Sequence, residues 1–126
     1  MSYASLLSCT GLYILRKADL TSDISDIVMD ISRESRKTAK ITEEYSQEKQ
    51  YLAEEYGTDS TEYEEAVADL REDYNCEMED INNWEKDLET QKQTKETELA
   101  YVTTLIENFQ GAIKQNVKTD FTYGQK

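Results

Sequence analysis

The 126 residues carry 27 Asp and Glu against 14 Lys and Arg, a formal net charge of −13, with no Pro, no His and four Gly. Such acidity repels a phosphate backbone and excludes nucleic-acid binding by bulk electrostatics. It also disfavours anionic membrane surfaces. The absence of His removes the usual imidazole base and the His ligands of helical di-metal sites.

Residues 1–18 form the first segment, apolar from Met1 to Leu15. On a helical wheel Leu6, Leu7, Leu12, Tyr13, Ile14 and Leu15 cover nearly the whole circumference, and a helix apolar all round must be covered on more than one side. Gly11 leaves open whether this segment continues the next helix or breaks from it. No base precedes the apolar run, and Arg16 and Lys17 follow it, so a cleaved signal peptide is not expected. The run is also shorter than the ~20 apolar residues a bilayer demands.

Residues 19–56 read as one helix, because nothing between Gly11 and Gly57 breaks it. Leu20, Ile24, Ile27 and Ile31 step by four and three, the spacing of a coiled-coil seam. Thr38, Ile41, Tyr45 and Leu52 continue it, with Glu34 and Glu48 as weak positions. The basic stretch Arg33–Lys40 is expected to pair across the helices with Glu77, Glu79, Asp80 and Glu85.

Residues 57–61 are the one good reversal. Gly57 suits the left-handed position after a helix. Asp59, Ser60 and Thr61 are each able to cap the next one, and Asp59 with Glu62 or Thr61 with Glu64 has capping-box spacing.

Residues 62–118 form the second helix, with a seam at Tyr63, Val67, Leu70, Tyr74, Ile81, Trp84 and Leu88. Glu89–Glu96 contains no apolar residue, and the pattern resumes at Leu99, Val102, Ile106, Phe109, Ile113 and Val117. The gap predicts a four-residue stutter in the heptads. Tyr101 and Leu105 widen the apolar face there. Residues 119–126 are a tail holding Phe121 and Tyr123.

The fold expected is an all-α antiparallel helical hairpin, a two-stranded coiled coil. Residue i faces residue 117 − i, and each helix of ~50 residues spans ~75 Å. Cys9 and Cys76 then lie ~48 Å apart along the hairpin, too far for a disulfide. The turn half is acidic: residues 43–98 hold 20 acids and 5 bases. The base, holding both termini, is near neutral. Five tyrosines (Tyr45, Tyr51, Tyr56, Tyr63, Tyr74) flank the turn, either as seam fillers or as a partner-binding tip.

No catalytic constellation, metal set or phosphate loop is present, and no cofactor is expected. The chemistry therefore lies in association. Leu6, Leu12, Leu15, Tyr101, Leu105 and Ile106 place apolar surface on more than the facing sides of the base, which marks an interaction surface. The partners expected are copies of the chain itself; the alternative is a different protein held by the base of a cytoplasmic adaptor or chaperone.

The layout resembles the secreted filament subunits of the type III secretion and flagellar kind. The resemblance rests on apolar Met1–Leu15, apolar Leu99–Val117 and the polar turn at Gly57. The proline-bearing turn of the needle subunits is absent. The resemblance implies a filament outside the cell, exported without a cleaved signal.

Overall fold

The computed structural model describes residues 2–124, with side chains described for residues 2–119. Phe121 and Tyr123 lie outside the described side chains. Two helices, α1 (Tyr3–Tyr56) and α2 (Thr61–Gly124), pack against each other as an all-α hairpin. Among the described residues there is no strand. α1 runs through Gly11 without a break, and α2 extends past Lys118 to Gly124. None of the described helices is long and apolar enough to cross a membrane.

The helix ends are built by short-range hydrogen bonds. Ser2 caps α1, its Oγ accepting from the Ser5 amide at 3.2 Å. α1 stops where Gly57 turns to φ +79°, its amide still reaching the Ala53 carbonyl at 3.0 Å. Ser60 is the cap of α2: its Oγ accepts from the Tyr63 amide at 3.1 Å and donates to the Gly57 carbonyl at 3.0 Å. With Ser60 as cap, the third helical residue is Tyr63, so neither expected capping box has its acid in place. Glu62 and Glu64 still sit in the first turn, where the helix dipole favours a negative charge.

The chain divides into two compact units: residues 1–27 with 91–126, and residues 28–90. In the first, Leu20, Val102 and Ile106 form the buried core, with Tyr13 and Leu99 packed against it. Leu20 is fully buried. Tyr13 stacks on Phe109 with ring centroids 5.6 Å apart. Two ion pairs bridge the helices, Arg16 to Glu98 at 2.6 Å and Lys95 to Asp23 at 3.4 Å. The second pair lies within one residue of the 117 − i register, and the first within three. The hydrogen bond from Arg16 to Glu98 raises the guanidinium pKa further above its ordinary value, so it stays charged at any physiological pH.

In the second unit the buried side chains are Glu34 on α1, and Val67, Ile81 and Leu88 on α2. Tyr45 stacks on Tyr74 at 4.5 Å, and the Tyr74 hydroxyl lies 3.2 Å from Thr42 Oγ1. Three expectations fail here. Trp84 is not in the seam: it is 47% exposed, while Glu85 is half-buried. At 100° per residue Glu85 falls nearer than Trp84 to the centre of the stripe through Met78, Ile81 and Leu88, and Trp84 falls on its flank. The basic stretch pairs within its own helix, Arg33 with Asp30, Lys37 with Glu34 and Lys40 with Glu44. Neighbours three and four apart on one helix are already within reach, so these pairs form locally. The stutter is absent as well. Leu88, Lys92, Lys95 and Leu99 keep steps of four, three and four, and both lysines are half-buried in seam positions. Their alkyl stems cover the seam while the ammonium groups reach Glu96 and Asp23.

Two predictions concern these features. Gly57→Val forces a β-branched residue to positive φ, and Ser60→Ala removes the cap. Each should lower the free energy of unfolding by ~1 kcal/mol or more in urea denaturation. Glu34 is 6% exposed and paired only with Lys37, itself well exposed. Replacing a buried charge by a well-packed apolar residue is often neutral or stabilising by ~1–4 kcal/mol. Glu34→Leu should therefore raise the urea midpoint or leave it unchanged; a marked fall would show that the carboxylate stabilises the seam.

Candidate assembly surface

Seam spacing makes one side of each helix apolar, and helix packing consumes that side. The residues expected at the base therefore sort into two groups. Leu6, Val102 and Ile106 are buried. Tyr13, Leu99, Leu105, Phe109 and Ile113 are half-buried. These are occupied by the hairpin itself, except that Leu105 lies at the edge. Leu7, Leu12, Ile14, Leu15, Tyr101 and Val117 remain exposed.

The second group has a direction. The inward side of α1 is defined by Leu6, Thr10, Tyr13 and Leu20. Leu15, 65% exposed, lies on the opposite side of that helix, and Leu12, 66% exposed, on the flank of that side. Gly11 lies one turn before Leu15 on the same side, and a Cβ there would meet nothing within 4 Å. Val117 is exposed, whereas half-buried Asn116 beside it takes the seven-residue step from Phe109 along the seam. Thr10 was not expected in the core. Its hydroxyl donates to the Leu6 carbonyl at 2.7 Å, which satisfies it without a partner across the seam. The four-and-three spacing from Leu6 to Tyr13 would have placed it there.

Charge separates the two units. Residues 28–90 hold 20 acids and 7 bases, a net of −13; the remainder holds 7 and 7, a net of zero. The exposed leucines therefore belong to the neutral unit. In the acidic unit, a groove of about 230 Å³ beside Tyr45 and Tyr74 is framed by Glu44, Glu48, Asp73 and Glu77. No group of three or more acidic or thiol side chains among the described residues is placed to hold a metal ion. Tyr45, Tyr63 and Tyr74 are half-buried fillers of the seam, whereas Tyr51 and Tyr56 face solvent. Cys9 and Cys76 are free thiols.

Comparison with protein-family models, curated proteins and solved structures finds no match to this chain.

The two groups of leucines should behave differently. Leu20→Ala opens a cavity in the core and should cost ~2–5 kcal/mol of unfolding free energy. Leu12→Ala removes an exposed side chain and should change it by less than ~0.5 kcal/mol. Urea unfolding of both at concentrations low enough for a monomer checks the assignment. Equal costs would contradict it.

Proposed function

We propose that the protein is a non-enzymatic structural subunit that associates with copies of itself through the neutral unit at its termini. The observation that carries this reading is the exposed apolar surface of α1 outside the seam: Leu15 opposite the seam, with Leu7 and Leu12 on its flanks. A stretch of that kind is a liability in a solitary chain and an asset in an assembly. Covering each of these leucines contributes ~1–2 kcal/mol, taking their present exposure into account.

Charge gives the association its location. Contacts between acidic units bring −13 against −13, whereas contacts between neutral units meet no net repulsion. The layout resemblance to exported filament subunits extends the proposal to a helical filament outside the cell. A copy that binds head to tail without closing a ring produces that form.

The test compares the full chain with a Leu12→Asp, Leu15→Asp variant, using light scattering for mass and negative-stain imaging for form. Both positions are exposed, so the variant should keep its helical circular dichroism. The parent should form large regular particles and the variant should not. A parent that stays monomeric across the concentration range, with helicity intact, would contradict self-assembly and turn attention to a different protein covering α1.

A further inference from the structure

Within the neutral unit, each helix carries a second stripe opposite its seam, and the two stripes differ in kind. On α2 it runs Thr97, Tyr101, Thr104, Asn108, Gly111, Gln115, stepping by four, three, four, three and four. All six are exposed and none is charged. The seam residues of the same segment, Leu99, Val102, Ile106 and Phe109, lie on the other side of the helix. The stripe is also less polar than its composition indicates. Thr97 and Thr104 spend their hydroxyls on the carbonyls of Gln93 and Ala100, at 2.9 and 3.0 Å, which leaves their methyl groups to face outward.

The acidic unit supplies an internal contrast on the same helix. Its outward stripe, at the same spacing, runs Glu65, Asp69, Glu72, Cys76, Glu79, Asn83 and Lys86, all exposed and five of the seven charged. An uncharged outward stripe is thus a property of the neutral unit and not of α2 at large. In a chain one-third charged, a solvated helix face is ordinarily charged.

On α1 the outward stripe runs Ala4, Ser8, Gly11, Leu15, Ala18, Ser22, again in steps of four and three and again uncharged, with Leu7 and Leu12 on its flanks. Each stripe has one large apolar or aromatic side chain and one glycine: Leu15 and Gly11 on α1, Tyr101 and Gly111 on α2. Gly11 and Gly111 both face open space within their own chain. A glycine inside a helix is destabilising relative to alanine, and its usual compensation is the close approach of another backbone.

We infer that the outward stripe of α1 docks on the outward stripe of α2 of a second copy. This rests on the self-assembly proposed above and specifies its geometry. The two stripes lie on opposite sides of the two-helix unit, because each is opposite a seam and the seams face one another. A contact between unlike stripes leaves the other stripe of each copy free, so it repeats. Such a contact is heterologous and gives an open row or a ring. A contact of α1 with α1 would close at a dimer and leave the α2 stripe uncovered. The second copy fits the charge pattern: two uncharged stripes meet within units of zero net charge, so no ion is desolvated without a partner.

Heterologous docking has a signature that no symmetric contact reproduces. One variant spoils the α1 stripe, Leu12→Asp with Leu15→Asp. The other spoils the α2 stripe, Tyr101→Glu with Asn108→Glu. All four positions are exposed, so both variants should remain helical by circular dichroism. Each alone should sediment as a monomer. Mixed in equal amounts, they should form a 1:1 dimer, the intact α1 stripe of one seated on the intact α2 stripe of the other, and grow no further because both outer stripes are spoiled. If the parent assembles and the mixture stays monomeric, or if the α2 variant assembles as the parent does, unlike-stripe docking is wrong although self-assembly stands. If the parent is itself monomeric, both fail together.

Discussion

Two helices bury only one side each against the other, and every other feature of this chain answers to that limit. The seam takes Leu6, Leu20 and Ile27 from α1 and Val67, Ile81, Leu88, Val102 and Ile106 from α2. Whatever apolar surface lies outside it has no cover within the chain. In the acidic unit the outward residues are mostly charged, and water is an adequate partner. In the neutral unit they include Leu12 and Leu15, and it is not. The limit also explains why the seam admits Glu34, Lys92 and Lys95. One stripe of contact tolerates a polar side chain whose stem packs and whose charge reaches an ion-pair partner at the edge, as Lys95 reaches Asp23. A globular core offers no such edge.

Under the proposed self-assembly, the distribution of charge decides where copies meet. All of the net charge resides in residues 28–90. Like charges on those segments oppose association there and leave the neutral unit as the surface where copies meet at least cost. The same charge keeps a chain with exposed leucines from associating indiscriminately, because any contact that brings the acidic units together is penalised. Under that proposal, repulsion and association are assigned to different parts of one pair of helices.

Much of the fold was legible before the structure. Gly57 marked the reversal because only a left-handed residue ends a helix in that way, and spacing by three and four marked the seam on both sides of it. The 117 − i register followed from the turn, and Asp23 with Lys95 meets it to within a residue. What the sequence hid were choices between near-equivalent positions. Three adjacent residues could cap α2, and Ser60 takes the role through its bond to Tyr63. Trp84 outranks Glu85 in hydrophobicity, yet wheel angle places the carboxylate nearer the seam. Lys92 and Lys95 read as a gap because their charge masks a spacing that fits the seam. At the candidate surface the apolar residues were visible, but not their division between seam and outward side. That division depends on the direction of each side chain once the partner helix is in place, and for Leu6 and Leu7, adjacent in sequence, it gives opposite answers.

Sedimentation velocity of the full chain, over a range of protein and salt concentrations, tests the central claim most directly. Added salt screens the repulsion of the acidic units and leaves an apolar contact intact. The account predicts that assembled mass grows with protein concentration and grows further as salt rises from about 0.01 to 1 M, where the screening length falls from ~30 to ~3 Å. Assemblies that dissolve as salt rises would contradict it, because they would be held by the charges that the account treats as the opposing force.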